Sequence, residues 1–173
     1  TASDMDALKS DDVDSILPLF LPVDSEAYYG IAGTAVRTLM RLVDTGLYPD
    51  KAYIMQKTED ENGALQKVEG EKGFVSALGG KGNALQFTAS VFGQEKFASV
   101  DEDALDAIGE LLNCINGLYV SECKDGSSLE LMPPSFKTGI QGFESRKMLV
   151  LPIHIKNDCV DLMIAIGDEI EMK

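Results

Sequence analysis

One histidine, His154, and three cysteines, Cys114, Cys123 and Cys159, are the only imidazole and thiol groups in this sequence. The cysteine number is odd and no C-x-x-C pair occurs, so the expectation is buried, reduced thiols without a disulfide framework or a metal site, with His154 a structural residue on a strand. No stretch approaches the roughly 20 uninterrupted apolar residues of a membrane span. The opening Thr1-Ala2-Ser3-Asp4 lacks the basic and apolar segments of a signal peptide. Basic residues are scarce: 15 Lys and Arg stand against 29 Asp and Glu, a net charge of −14 that opposes sequence-independent attraction to nucleic acid or anionic lipid. These shortages predict a cytoplasmic chain whose partner is neither a nucleic acid nor a membrane, leaving a protein or a small molecule. Gly79-Gly80-Lys81-Gly82-Asn83 lacks the Gly-Lys-Ser/Thr ending of a nucleotide-binding loop and reads as a flexible turn capping the next helix.

What is present suffices for one domain, since 45% of the 173 residues are hydrophobic. Residues 1–23, rich in Asp and Ser, read as an extension or linker with one short helical turn. The chain does not begin with Met, which fits a piece of a longer protein or a processed tag equally. Residues 24–168 read as the domain and 169–173 as a tail. A first helix, capped by Asp24 or Ser25, carries Ala27, Ile31, Ala35, Leu39, Leu42 and Val43 on one stripe and stops near Gly46. Extended stretches over 52–57, 64–69 and 73–78, with Glu61-Asn62-Gly63 as a turn, suggest an antiparallel meander. A short helix over 83–92 ends at Gly93. A longer one, opened by Val100 and Asp101, reaches about Ser121. A strand over 128–132 stops at Pro133-Pro134, and a closing hairpin turns at Asn157-Asp158, with Leu149, Leu151, Ile153 and Ile155 alternating against Val160, Leu162, Ile164 and Ile166. This order predicts an α+β fold, an antiparallel-rich sheet packed against helices. The acidic runs Thr58-Glu59-Asp60-Glu61 and Asp101-Glu102-Asp103 read as solvated turns and helix starts.

In the long helix, a turn of about 100° per residue gathers Ala104, Leu105, Ile108, Leu111, Leu112, Ile115, Leu118 and Tyr119 on one broad face. Asp106, Glu110, Asn113 and Gly117 fall on the opposite side, within a stripe about 60° wide. Acids and amides on a wet helix face are common and carry little alone. Gly109 and Gly117, however, each cost about 1 kcal/mol against Ala in a helix interior, and so call for a backbone or partner close beside the stripe.

The run Asp101-Glu102-Asp103-Ala104-Leu105-Asp106-Ala107-Ile108-Gly109-Glu110-Leu111-Leu112-Asn113, followed by Ile115 and Gly117, resembles the signature helix of the CheC/CheX/FliY chemotaxis phosphatases, D-x-x-x-E-x-x-N with a proline roughly twenty residues later. Asp106, Glu110 and Asn113 fill those places, and Pro133 and Pro134 fit the downstream element. The likeness spans roughly 24–168 and is nearest to single-site CheX-like domains. The first helix has Tyr29 where a second Glu-x-x-Asn site would need its Asn after Glu26, and Leu118-Tyr119 stand where many relatives place small or amide residues.

The resemblance implies hydrolysis of the phospho-aspartate on a CheY-like response-regulator receiver, separate or fused upstream, in chemotaxis or related two-component signalling. In that reading Glu110 and Asn113 are catalytic: Asn113 orients the attacking water, and Glu110 pairs with the receiver's lysine. Asp106, Gly109 and Gly117 border the partner, and Pro133 sets shape. This chain carries no cofactor of its own, the magnesium belonging to the receiver, and relatives suggest a homodimer. An amide suits the task because its carbonyl accepts from water and its NH₂ donates to a phosphoryl oxygen, whereas a carboxylate there would repel the phosphoryl group. Two alternatives stay open: a receiver-binding or scaffolding domain without catalysis, and a small-molecule sensor, for which no aromatic cage or redox motif is seen.

Overall fold

The computed structural model describes residues 17–22, 26–123 and 128–173. After a 3-10 turn at Leu17–Leu19 and another at Glu26–Tyr28, its elements are α1 (Tyr29–Leu42), β1 (Tyr48–Pro49), β2 (Tyr53–Lys57), β3 (Asn62–Gly70), β4 (Phe74–Gly80), α2 (Asn83–Gly93), α3 (Glu102–Glu122), β5 (Leu129–Leu131), β6 (Ser135–Thr138), β7 (Phe143–Ile155), β8 (Asp158–Ile166) and β9 (Glu171–Met172). The strands form one nine-stranded sheet with the path β1-β7-β8-β4-β3-β5. Both edges are shared: β2 and β9 also pair with β7, and β6 with β3, every pairing being antiparallel. The α+β reading therefore holds.

The closing hairpin lies in the interior of the sheet. Its alternating set Leu149, Leu151, Ile153, Ile155, Val160, Leu162 and Ile164 is buried in the main core with the inner faces of the helices. Met148, Val150, Met163 and Ala165 point the other way, into a second cluster with Val75, Ala77, Ile140, Phe143 and Ile170. Burial on both faces explains why Leu162-Met163-Ile164-Ala165 runs apolar without a break. Ile155 pairs with Asp158, so the turn consists of Lys156 and Asn157, at φ 52° and 65°. This is one residue earlier than the sequence suggested, and both central residues are left-handed, as a type I′ turn requires. Asp158 is thereby free to cap α2, accepting the Ala84 N–H at 2.8 Å.

Other local readings shift for similar tertiary reasons. β3 and β4 form a hairpin, but β2 crosses to β7 on the far side of the sheet, so the three strands are not a meander. Asn62 and Gly63 are strand residues; a Cβ on Gly63 would stand 2.4 Å from Phe143 Cζ, so this glycine makes room for a ring rather than a turn. Thr58 and Asp60 are buried, against the solvated-turn reading, and the Thr58 Oγ1 accepts the Phe143 N–H at 3.1 Å. α2 runs through Gly93 and ends on Gln94, which is left-handed at φ 52°. Leu17 and Leu21 are buried in the main core, while the proposed caps Asp24 and Ser25 lie outside the described residues. The thiols are free, but Cys114 is exposed and Cys123 and Cys159 are only half-buried, correcting the expectation of buried cysteines. His154 stacks on Tyr48 at 4.8 Å and lies 2.9 Å from Asp50, a structural role. Among the described residues no helix is long and apolar enough to cross a membrane.

Candidate active site on the long helix

Asp101 starts α3 as the sequence suggests, its carboxylate accepting the Ala104 N–H at 2.9 Å with Glu102 and Asp103 in the first turn, where acids favour the positive end of the helix dipole. Leu105, Ile108, Leu111, Leu112 and Ile115 are buried, and the helix packs on β3, α2, β6 and α1. Asp106, Glu110 and Asn113 are exposed on the opposite side. The departures beyond Gly117 diverge: Leu118 is exposed, while Tyr119 is half-buried with its ring edge-on to Phe74.

The two helix glycines have different surroundings. A Cβ on Gly117 would meet nothing within 4 Å, so that position is open beside the stripe. Gly109 is buried, and a Cβ there would stand 3.1 Å from Pro134 Cβ. What comes close to Gly109 is therefore the chain's own proline segment. This gives Pro134 a contact and ties the downstream proline to the helix.

Asn113 is exposed, but one end of its amide is held. Gln66, fully buried on β3, donates from Nε2 to Asn113 Oδ1 at 2.7 Å and to the Met132 carbonyl at 2.8 Å. Its Oε1 accepts from Nδ2 of the buried Asn116 at 2.8 Å, and Asn116 in turn contacts Ser76 Oγ at 2.8 Å. Gln66 and Ser76 face each other across the β3–β4 register, so the hairpin presents both to the underside of α3. Neither Gln66, Asn116 nor Ser76 was singled out from the sequence. Asn116 left a signal, being a polar residue one turn beyond Leu112 on the apolar face. Gln66 left one too, sharing an inward strand face with Ala64 and Val68.

The side chains of the stripe, Asp106, Glu110 and Asn113, project outward from α3. A cleft of about 1060 Å³ elsewhere is lined by Lys67, Glu69, Glu144, Arg146, Asp168 and Glu169, and contains none of the stripe residues. Lys67 and Glu169 pair there at 2.7 Å, so its charges largely answer one another. Among the described residues, no group of three or more His, Cys, Asp or Glu could hold a metal ion. An outward acid and an amide on a helix suit insertion into another protein's pocket better than enclosure of a small molecule.

The family model of the chemotaxis phosphatase CheX matches residues 63–154, more than half of the chain. The chain belongs to the CheX family. The matched segment runs from β3 into β7 and contains Gln66, the whole of α3 and the proline segment. No curated protein matches the sequence. Solved CheX structures share the fold: that of Vibrio vulnificus has a TM-score of 0.68 at 14% identity, covering 82% of this chain and 99% of its own. That of Desulfovibrio desulfuricans has a TM-score of 0.67 at 14% identity, with the same coverage. A CheX from Borrelia burgdorferi, solved as a CheX–CheY–BeF₃–Mg²⁺ complex, has a TM-score of 0.60 at 16% identity over 82% of this chain and 97% of its own. At these identities the likeness speaks for the fold. The CheX-type phosphatase assignment rests on the family match.

Proposed function

We propose that this CheX-family domain accelerates hydrolysis of the phospho-aspartate of a CheY-like receiver, with Asn113 and Glu110 entering the receiver's active site. The observation that carries this reading is the joint exposure of Glu110 and Asn113 on one face of α3, inside the segment matched to the family. That the Borrelia burgdorferi relative was solved with CheY supports the choice of partner.

An acyl phosphate is cleaved by in-line attack of water on phosphorus: the bond to the aspartate oxygen breaks, inorganic phosphate leaves and the carboxylate is regenerated. Magnesium and a lysine on the receiver neutralise the phosphoryl charge, so this chain is left with the task of positioning. Asn113 has a second lone pair on Oδ1 to accept from the water, and two N–H donors for a phosphoryl oxygen. Glu110, one turn earlier, anchors the complex through the receiver's lysine. Asp106 and Gly117 border the docked partner.

Docking without turnover is the second reading, favoured by Leu118, which is exposed just beyond Gly117 where many relatives place small or amide residues. One experiment separates the two: phosphate release from a panel of phosphorylated receivers of the same cell, with and without this domain. Faster release from at least one receiver supports the phosphatase. Tight binding with unchanged release from all of them supports the scaffold.

A further inference from the structure

We infer that Gln66 is a positioning residue that locks the Asn113 amide in one orientation, and that its own orientation is set by the Met132 carbonyl next to Pro133. This rests on Asn113 being the water-orienting group.

An asparagine amide is nearly symmetric in shape, so an exposed one turns over readily and presents oxygen or nitrogen to a partner. Hydrogen bonding fixes the choice here. The Met132 carbonyl only accepts, so the Gln66 side chain must direct its NH₂ there, at 2.8 Å. Its carbonyl then points at Asn116, which has to offer its own NH₂, and does so at 2.8 Å. The second N–H of Gln66 is left for Asn113, which can receive it only through oxygen, at 2.7 Å. Every end of the relay is determined by its neighbour, back to a backbone carbonyl that cannot flip.

Three features make the relay stiff. Gln66 and Asn116 are fully buried and Ser76 nearly so, where a broken hydrogen bond has no water to replace it. Met132 is held on both sides, its N–H donating to the Lys67 carbonyl at 2.9 Å and Pro133 restricting it to an extended backbone. Pro134 then lies against Gly109. Asn113 thus keeps its oxygen fixed at the protein side with one lone pair unused, and its NH₂ makes no hydrogen bond to a described residue. A partner meets a preset arrangement and need not freeze a rotor, which is where a positioning group lowers a barrier.

The test is single-turnover decay of a phosphorylated receiver over a range of domain concentrations, with wild type, Gln66→Met and the double variant Gln66→Met/Asn116→Leu. The double variant removes both members of the central pair together and leaves neither with a buried, unmatched amide. Both are expected to lower the maximal rate on the order of tenfold to a hundredfold, as outer partners do when they orient metal-bound ligands. The half-saturating concentration should stay within about twofold, because Gln66 never touches the receiver. In an Asn113→Ala background Gln66→Met should lower the rate no further. The ¹⁵N side-chain pair of Asn113 should shift in Gln66→Met, while backbone amides along α3 stay in place. A full rate in a folded Gln66 variant, or equal losses with and without Asn113, overturns the proposal. A wild type inactive on every receiver instead overturns the phosphatase reading beneath it. A variant that fails to fold is replaced by the double variant, whose rate decides in the same way.

Discussion

Gly109 lies against Pro134, where a Cβ would come within 3.1 Å of the ring, while Gly117, eight residues on in the same helix, faces open space. The two glycines therefore answer differently to alanine. Gly117→Ala should stabilise the domain by about 1 kcal/mol through helix propensity alone. Gly109→Ala should gain clearly less or lose stability, because Pro134 must give way. Urea denaturation of both variants checks this; equal gains would show that the proline segment yields freely. Gly117→Ala should also weaken receiver binding, because the proposed complex places that open position against the partner.

Asp60 and Asp161 form a carboxyl pair beside Gly79, and neither belongs to the exposed stripe of α3. Burial first, and then the charge of Asp161, pushes Asp60 up to about 8, and burial raises Asp161 as well. In the unfolded chain an aspartate titrates near 3.9, roughly. The folded form thus holds an extra proton between those values, and the linked stability, fully present below about 4, is lost as pH rises toward about 8. Thermal melts of the wild type should fall across this window. Asp60→Asn, which keeps an uncharged donor, should flatten the decline and exceed wild type at pH 8.5. Parallel profiles would contradict it.

Asp101 caps the helix that carries the site. Asp101→Ala should cost about 1 kcal/mol, and Asp101→Asn much less, since the amide oxygen still accepts the Ala104 N–H. Chemical denaturation measures both; an unaffected Asp101→Ala would mean that the first turn of α3 is held by packing alone.

The parts legible from sequence are those in which burial imposes a period. The alternation in β7 and β8 and the apolar face of α3 name their own core residues, save Leu118, which is exposed, and the acidic stripe follows from geometry once α3 is placed. The Gln66 relay was legible only as two separate hints, a glutamine in line with Ala64 and Val68 and an asparagine one turn beyond Leu112, and nothing in the sequence joins them. Only the pairing of Gln66 with Ser76 and the seating of α3 over them turns three polar residues into a buried network. The path of β2 was hidden for a different reason. Glu61-Asn62-Gly63 favours a local turn, but Gly63 is taken up by the Phe143 ring and Asn62 Oδ1 by the Gly139 N–H at 3.1 Å. Long-range packing outweighed local propensity there.

The most direct test of the account is the decay of a phosphorylated receiver with wild type, Asn113→Ala and Glu110→Ala at several domain concentrations. Loss of one positioned hydrogen-bonding group from a preorganised site commonly costs about 3 to 4 kcal/mol, roughly a hundredfold to a thousandfold in rate. Asn113→Ala should show a loss of that order in maximal rate with receiver binding nearly intact, because the lost contact acts in the transition state. Glu110→Ala should weaken binding and rate together. An unchanged rate for Asn113→Ala, beside a wild type that is clearly active, would contradict the account.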